Sequence, residues 1–265
     1  MDKAVFSLKG VEFSYHDSSP LLSGLNLDFY YGDSVCLLGA NGSGKSTVLK
    51  MLCALLFPTR GIFRAFGDDI DEARMENDRY AKEYRRRVGF VFQNSEAQLF
   101  TTRIWDEIAF GPLQLGLAAR DVKQRVEDIA GLLRIEDLLE RSPYRLSGGE
   151  KKKVALACVL VMNPEVLILD EPTNGLDPKT QRWLIELLLQ LNKAGRTIIT
   201  ATHNLELAHA ISKRALVLSE EHRLIGDGNT FEILSNRDLL IQVNLIDEYT
   251  HIHESHEHTH RFIHA

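Results

Sequence analysis

The sequence is short of cysteine, of long apolar runs and of positive charge, and each shortage removes a class of protein. Its three cysteines, Cys36, Cys53 and Cys158, have no CxxC spacing and each lies in an apolar run. They read as buried free thiols of a reducing compartment, with no disulfide framework and no zinc site. The longest nearly unbroken apolar stretch, Val154 to Met162, is about half of the roughly 20 residues a membrane-spanning helix needs. Any link to a membrane is therefore expected to run through a partner, and the chain itself to be soluble. No basic-then-apolar leader is expected, because Met1-Asp2-Lys3 runs straight into strand-like sequence. The net charge of −6 argues against a general nucleic-acid binder, which needs a basic face. What is present is 265 residues, 44% hydrophobic and 26% charged, enough for one large globular core or a core plus a lobe.

Patterning predicts an α/β chain. Ala4–Leu8 and Val11–Tyr15 alternate like an antiparallel pair, followed by Leu25–Tyr30 after a Ser/Pro turn. Val35–Leu38, Val88–Phe92, Val166–Leu169, Thr197–Ala201 and Ala215–Leu218 are short apolar runs separated by helical text. That pattern suits a parallel sheet with crossover helices. Ser46–Phe57 reads as a helix, and residues 94–163 turn helical, with Gly116 and Pro143 as punctuation and Asp121–Leu133 periodic. After Tyr249 the periodicity is lost, and residues 250–265 are expected to form a disordered tail.

Gly39-Ala40-Asn41-Gly42-Ser43-Gly44-Lys45-Ser46 fits G-x-x-x-x-G-K-[ST] between a predicted strand and a predicted helix. Small residues let successive backbone N–H groups turn inward as an anion nest, and the helix adds its positive end. Lys45 is expected to reach the β- and γ-phosphates of a nucleotide, and Ser46 to ligate Mg²⁺. Val166-Leu167-Ile168-Leu169-Asp170-Glu171 then delivers two carboxylates at a strand end, where parallel sheets place their ligands. Asp170 suits Mg²⁺ or its water, and Glu171 suits a general base or water-positioning role.

With Leu146-Ser147-Gly148-Gly149-Glu150 the chain resembles the ABC family of transport ATPases, whose signature motif this pentapeptide matches. The resemblance implies a P-loop NTPase over 1–249. Its parts are a RecA-like parallel-sheet core, an N-terminal antiparallel β subdomain and a helical subdomain inserted over about 94–163. It implies ATP and Mg²⁺ as ligands, transmembrane subunits as partners, no nucleic acid, and a peripheral place at the cytoplasmic face of the membrane. In the family, the helix after the signature caps the γ-phosphate held by a partner cradle of the Gly39–Thr47 kind. Two copies, or this chain and a paralogue, thus close head to tail, through Ser147, Gly148 and Gly149. Tyr15 matches the aromatic that stacks on adenine, and Gln93 the glutamine that contacts Mg²⁺ and senses the membrane partner. Asn174-Gly175-Leu176-Asp177 matches the interface loop, and His203 the histidine on the γ-phosphate. Taken singly, Tyr15 also reads as a surface aromatic, Gln93 as a loop amide and His203 as a satisfied helix cap. Glu150 stands where glutamine is commoner, and Lys151-Lys152-Lys153 reads as a solvated helix face.

The stretch from Val91 through Gln93-Asn94-Ser95-Glu96-Ala97-Gln98-Leu99-Phe100, then Ala109-Phe110-Gly111-Pro112, resembles the energy-coupling-factor ATPases of cobalt, nickel or vitamin uptake. Ser95 and Glu96 depart from their usual Pro and Asp. The resemblance implies that Gln98, Leu99 and Phe100 line a groove for a membrane subunit; ordinary packing in the helical lobe is the alternative. Six of the ten histidines lie in the tail, among them His251, His253, His256, His258 and His260. Imidazoles at this density suit nickel, cobalt or zinc, or else mark a polar tail with incidental affinity. Arg85-Arg86-Arg87 reads as a solvated basic turn.

Overall fold

Apolar runs without alternation need cover on both faces, and the structure, a computed structural model, buries them so. It describes residues 4–15, 20–94, 98–253 and 256–263. The expectations on Met1–Lys3, Ser95, Glu96 and Ala97 lie outside these residues. The chain divides into two compact units, Met1–Glu72 with Thr197–Ala265, and Ala73–Arg196. The second unit reaches beyond the helical insertion expected over 94–163 at both ends.

In the first unit, β1 (Ala4–Phe13) pairs antiparallel with β2 (Leu22–Tyr30) on one edge. Its other edge pairs with β4 (Arg60–Ala65), which carries the short β5 (Asp68–Asp69). The two short strands expected at the start are thus one strand. Its register slips between Leu8 and Val11, where the Gly10 N–H donates to Asn26 Oδ1 at 2.9 Å, and this bulge imitates a strand break in the sequence. Phe6, Phe29 and Phe63 from three strands are at most 1% exposed and form the core of this layer. The Phe6 ring lies 6.3 Å from Phe29, edge to face, and 6.1 Å from Phe63.

A second sheet in this unit runs β10-β9-β3-β8. β3 (Ser34–Leu38) is parallel to β8 (Thr197–Ala201) and β9 (Arg214–Leu218), and β10 (Leu224–Asn229) is antiparallel to β9. Every residue of β3 and β8 is buried. α1 (Lys45–Leu52) follows β3 and is shorter than expected, because Ala54 turns to φ +52° and ends the helical path. α8 (Leu205–Ile211), α9 (Thr230–Ser235) and α10 (Arg237–Gln242) complete the unit; Ala208 and Leu240 pack with Leu38 and Val217. The tail expected to lack structure forms β11 (Ile246–His253) paired antiparallel with β12 (His256–Ile263). The loss of helical period there is the onset of a period of two.

In the second unit, the single turn α2 (Glu72–Met75) and α3 (Asp78–Arg87) lead to β6 (Val88–Val91), which is parallel to β7 (Val166–Asp170). Between them come α4 (Ile104–Gln114), α5 (Ala119–Leu133) and α6 (Gly148–Leu160), and α7 (Pro178–Lys193) follows β7. α5 buries Val122, Val126, Ile129, Ala130 and Leu133, the stripe its period predicts. Arg85–Arg87 is the last helical turn of α3, not a loop turn, and only part of it is solvated. Arg87 grips Glu165 through two hydrogen bonds, 2.7 and 2.9 Å, and its carbonyl accepts from the Glu165 N–H at 2.9 Å. That guanidinium holds the Glu165 carboxyl below the usual carboxylate range. Cys36, Cys53 and Cys158 are free thiols, as the sequence suggested. Among the described residues, no helix is long and apolar enough to cross a membrane.

Candidate functional site

The glycine-rich loop leaves β3 at Leu38 and enters α1 at Lys45, with Gly39, Gly42 and Gly44 at φ +152°, +85° and +101°. At Gly39 no other residue fits: an added Cβ would sit 2.6 Å from the Leu218 carbonyl oxygen. Gly44 is the N-cap of α1 and gives it no side-chain cap. The first turn thus offers its N–H groups, and its positive dipole end, to an anion. Lys45, 6% exposed, lies along the loop and donates to the carbonyls of Gly39 at 2.7 Å and Ala40 at 3.0 Å. The Ser43 hydroxyl is buried with no partner among the described residues, the kind of polar atom that a bound anion satisfies. Asn41 is exposed at the rim, and Ser46 and Thr47 are half-buried in the first helical turn. In the same unit, Tyr15 is 45% exposed, with its ring edge-on to Phe13 at 4.8 Å. His203 is half-buried between β8 and α8; Asn204, not His203, caps α8 by accepting from Leu207 N–H at 2.9 Å.

The second unit holds the other motifs. β7 is buried throughout and ends in Asp170, with Glu171 next, both 7% exposed. Glu171 adopts φ +42°, a conformation that costs a non-glycine residue and persists where the surroundings enforce it. Gln93 and Asn94 are exposed beyond β6. Gln98, expected to line a docking groove, is turned inward: it accepts from Phe92 N–H at 3.1 Å and donates to Phe90 O at 3.3 Å. Leu99 is buried, so of the three residues proposed for the groove only Phe100 presents itself. It is 60% exposed and stacked edge-on to Phe110 at 5.0 Å.

The Ser147–Glu150 segment closes its own helix start. Ser147 caps α6, accepting from Glu150 N–H at 3.3 Å, while Glu150 Oε2 accepts from Ser147 N–H at 2.8 Å and from its hydroxyl at 2.7 Å. This is a reciprocal capping box. Those Ser147 donors hold the Glu150 carboxyl below its ordinary range, helped by Arg141 and Lys153. Gly148 starts the helix, and a Cβ on Gly149 would lie 2.9 Å from Thr180 Oγ1, so α6 begins tight against the start of α7. Asp177 caps α7, accepting from the N–H groups of Lys179 at 2.9 Å and Thr180 at 3.1 Å. Thr180, first of all, lowers its carboxyl below the usual range.

Sequence reasoning missed two buried charges. Glu107, 4% exposed, accepts from the N–H groups of Phe100 at 3.0 Å and Thr101 at 2.7 Å and so sets the loop before α4. Lys152 is 2% exposed, against the expectation of a solvated lysine face, and Lys153 lies 5.0 Å over the Trp183 ring. Burial pushes the Lys152 ammonium down to about 8, with the Asp170 charge pulling the other way. A charge at the position three and four residues before Ala155 and Leu156, on the buried stripe, was the available signal.

A model of the ABC transporter family matches residues 22–174, more than half of the 265 residues. The chain belongs to the ABC transporter family. As such it is an ATP-binding and ATP-hydrolysing protein. This ABC ATPase is 44% identical over 244 residues to the nickel import ATP-binding protein NikO of Rhodobacter capsulatus, spanning 91% of this chain and 95% of that one. It is 33% identical to CbiO1 of Clostridium perfringens, described as part of the ABC transporter complex CbiONQ. The two structures superpose with a TM-score of 0.79 over 92% of this chain and 96% of that one. The ATP-binding cassette MJ0796, solved as a dimer in a post-hydrolysis state with ADP and Pi, is 26% identical. Its TM-score is 0.75 over 85% of this chain and 98% of that cassette.

Proposed function

We propose that this ABC ATPase powers an importer of nickel or cobalt ions from the cytoplasmic face of the membrane, as a peripheral subunit of the energy-coupling-factor type. The observation that carries the ATPase mechanism is the uncapped start of α1 behind a glycine cradle with an orphaned buried hydroxyl. Such a site fits the phosphates of ATP. Gly39, Asn41, Gly42, Ser43, Gly44, Lys45, Ser46 and Thr47 hold them, and Tyr15 supports the adenine. Ser46 of the first unit offers a hydroxyl, and Asp170 and Gln93 of the second offer a carboxylate and an amide oxygen, each a hard-oxygen donor of the kind Mg²⁺ takes. When bound there, Mg²⁺ supplies charge neutralisation on the phosphates. Glu171 positions the attacking water and takes its proton, and His203 contacts the γ-phosphate.

Two cassettes, identical or paralogous, close head to tail, each bringing Ser147, Gly148 and Gly149 to the other's ATP and the Asp177 loop to the interface. The dimeric relative bound to ADP and Pi supports this reading. Closure moves Gln93 and, through it, the membrane partner; product release reopens the pair. The name of the nickel import relative supports the metal-ion limb, together with the Gln93–Pro112 stretch. Replacing Glu171 by Gln is expected to trap an ATP-bound dimer visible by size-exclusion chromatography. Native turnover in that variant would sink the assignment of the base.

The tail belongs to the same reading. Its register sets His251 opposite His258, His253 opposite His256 and Tyr249 opposite His260, so strand alternation gathers five histidine positions on one face. A two-stranded ribbon is marginal in water by itself, and histidine positions at this density suit a borderline divalent ion that would staple it. Calorimetry with Ni²⁺ is expected to show binding that disappears on truncation before His251; equal binding by both chains ends this part of the proposal.

A further inference from the structure

Lys152 occupies a place in α6 where the helical stripe calls for an apolar residue. A buried ammonium is costly unless something compensates it, and here the compensation comes from two strand ends. Its Nζ lies 3.5 Å from the carbonyl oxygen of Phe92, the residue before Gln93, and the Asp170 carboxylate at the end of β7 favours its charge. Beside it lies a cavity of about 160 Å³ lined by Gln93, Asn94, Gly148, Lys151, Lys152 and Asn174. One side chain thus joins the signature helix to the segment that carries the glutamine.

We propose that Lys152 is a positioning residue that ties α6, through the Phe92 carbonyl, to the Gln93 segment, so that the two move as one piece when the cassettes close on ATP. The flexible stem of a lysine suits the task, since the ammonium keeps contact as the neighbouring groups shift, where a short or branched residue would let go. Lys152 touches no nucleotide in this scheme; it acts through the residues it holds. The inference rests on the role proposed above for Gln93.

The test uses the full chain and Lys152→Met, which keeps the stem and removes the charge. We expect kcat for ATP to fall about tenfold with KM within about twofold, the mark of misplaced rather than missing groups. The melting temperature should stay level or rise, because the charge removed is a buried one. Hydrogen exchange without nucleotide should quicken at the amides of Gln93 and Asn94 and stay unchanged through α7. Native kcat in the folded variant overturns the proposal. So does a fall in kcat matched by a fall in melting temperature and faster exchange throughout α6, since that marks a plain structural role. Should Lys152→Met not fold, Lys152→Gln keeps a donor without the charge: native kcat there overturns the proposal, and a tenfold loss with quickened Gln93 exchange supports it. A wild-type chain without ATPase activity would sink the functional reading instead, leaving the exchange comparison to judge the tie.

Discussion

Two helix starts in this molecule face the same chemical problem and solve it in opposite ways. α1 begins at a glycine with no side-chain cap, and the buried Ser43 hydroxyl has no partner among the described residues. α6 begins at Ser147, whose hydroxyl and N–H are already taken by the Glu150 carboxylate. The first is shaped for phosphate; the second is closed on itself by an internal anion that imitates one. In a head-to-tail pair, the first should bind ATP in a single subunit, while the second must release Glu150, or share its donors, before it can receive the other subunit's phosphate. The difference supplies an order of events, with nucleotide first and partner second.

The strongest test of this contrast is Lys45→Ala. Removing the ammonium that spans the cradle carbonyls should weaken ATP binding by about a hundredfold in calorimetry, as loss of a preorganised charged donor does. Near-native affinity would mean that the backbone nest alone suffices. Next, Ser147→Ala should cost about 1 kcal/mol of stability through the lost cap. It should abolish the ATP-dependent dimer in light scattering while leaving the affinity of the single subunit within twofold of native. Equal dimerisation would erase the distinction between the two helix starts. The smallest effect belongs to Glu150→Gln, which removes the negative charge competing with phosphate and keeps a capping group. Dimerisation with ATP should strengthen several-fold. Because the folded carboxyl titrates below 4.5, its contribution to stability is present above that pH and fades as acid carries it through the lowered value. The melting temperatures of wild type and variant should therefore converge on acidification; a gap that widens in acid contradicts the capping account.

Much of this site was legible because its signals are local. The cradle is eight consecutive residues, Asp170 and Glu171 end an apolar run, and the signature pentapeptide names its own family. The parallel strands were equally plain, since burial on both faces writes an unbroken apolar word. What escaped depends on residues far apart in sequence. Gln98 read as a docking residue because its amide ends at Phe90 and Phe92, which only the folded loop brings near. The three lysines after Glu150 read alike, yet Lys152 is buried and Lys153 stacks on Trp183 from the next helix. The long β1 was mistaken for two strands because a bulge and a turn leave the same mark in a sequence.

The Arg87–Glu165 clamp sits at the far ends of β6 and β7 from the chemistry, joining the residues just before each strand by three hydrogen bonds. The two strands run side by side in fixed register, Val88 with Val166 through Val91 with Leu169. Pinned at the base, the two strands are expected to move as a pair whose far ends carry Gln93 and Asp170. A push arriving at one end should then reach the other as bending, because the fixed register leaves little room for sliding.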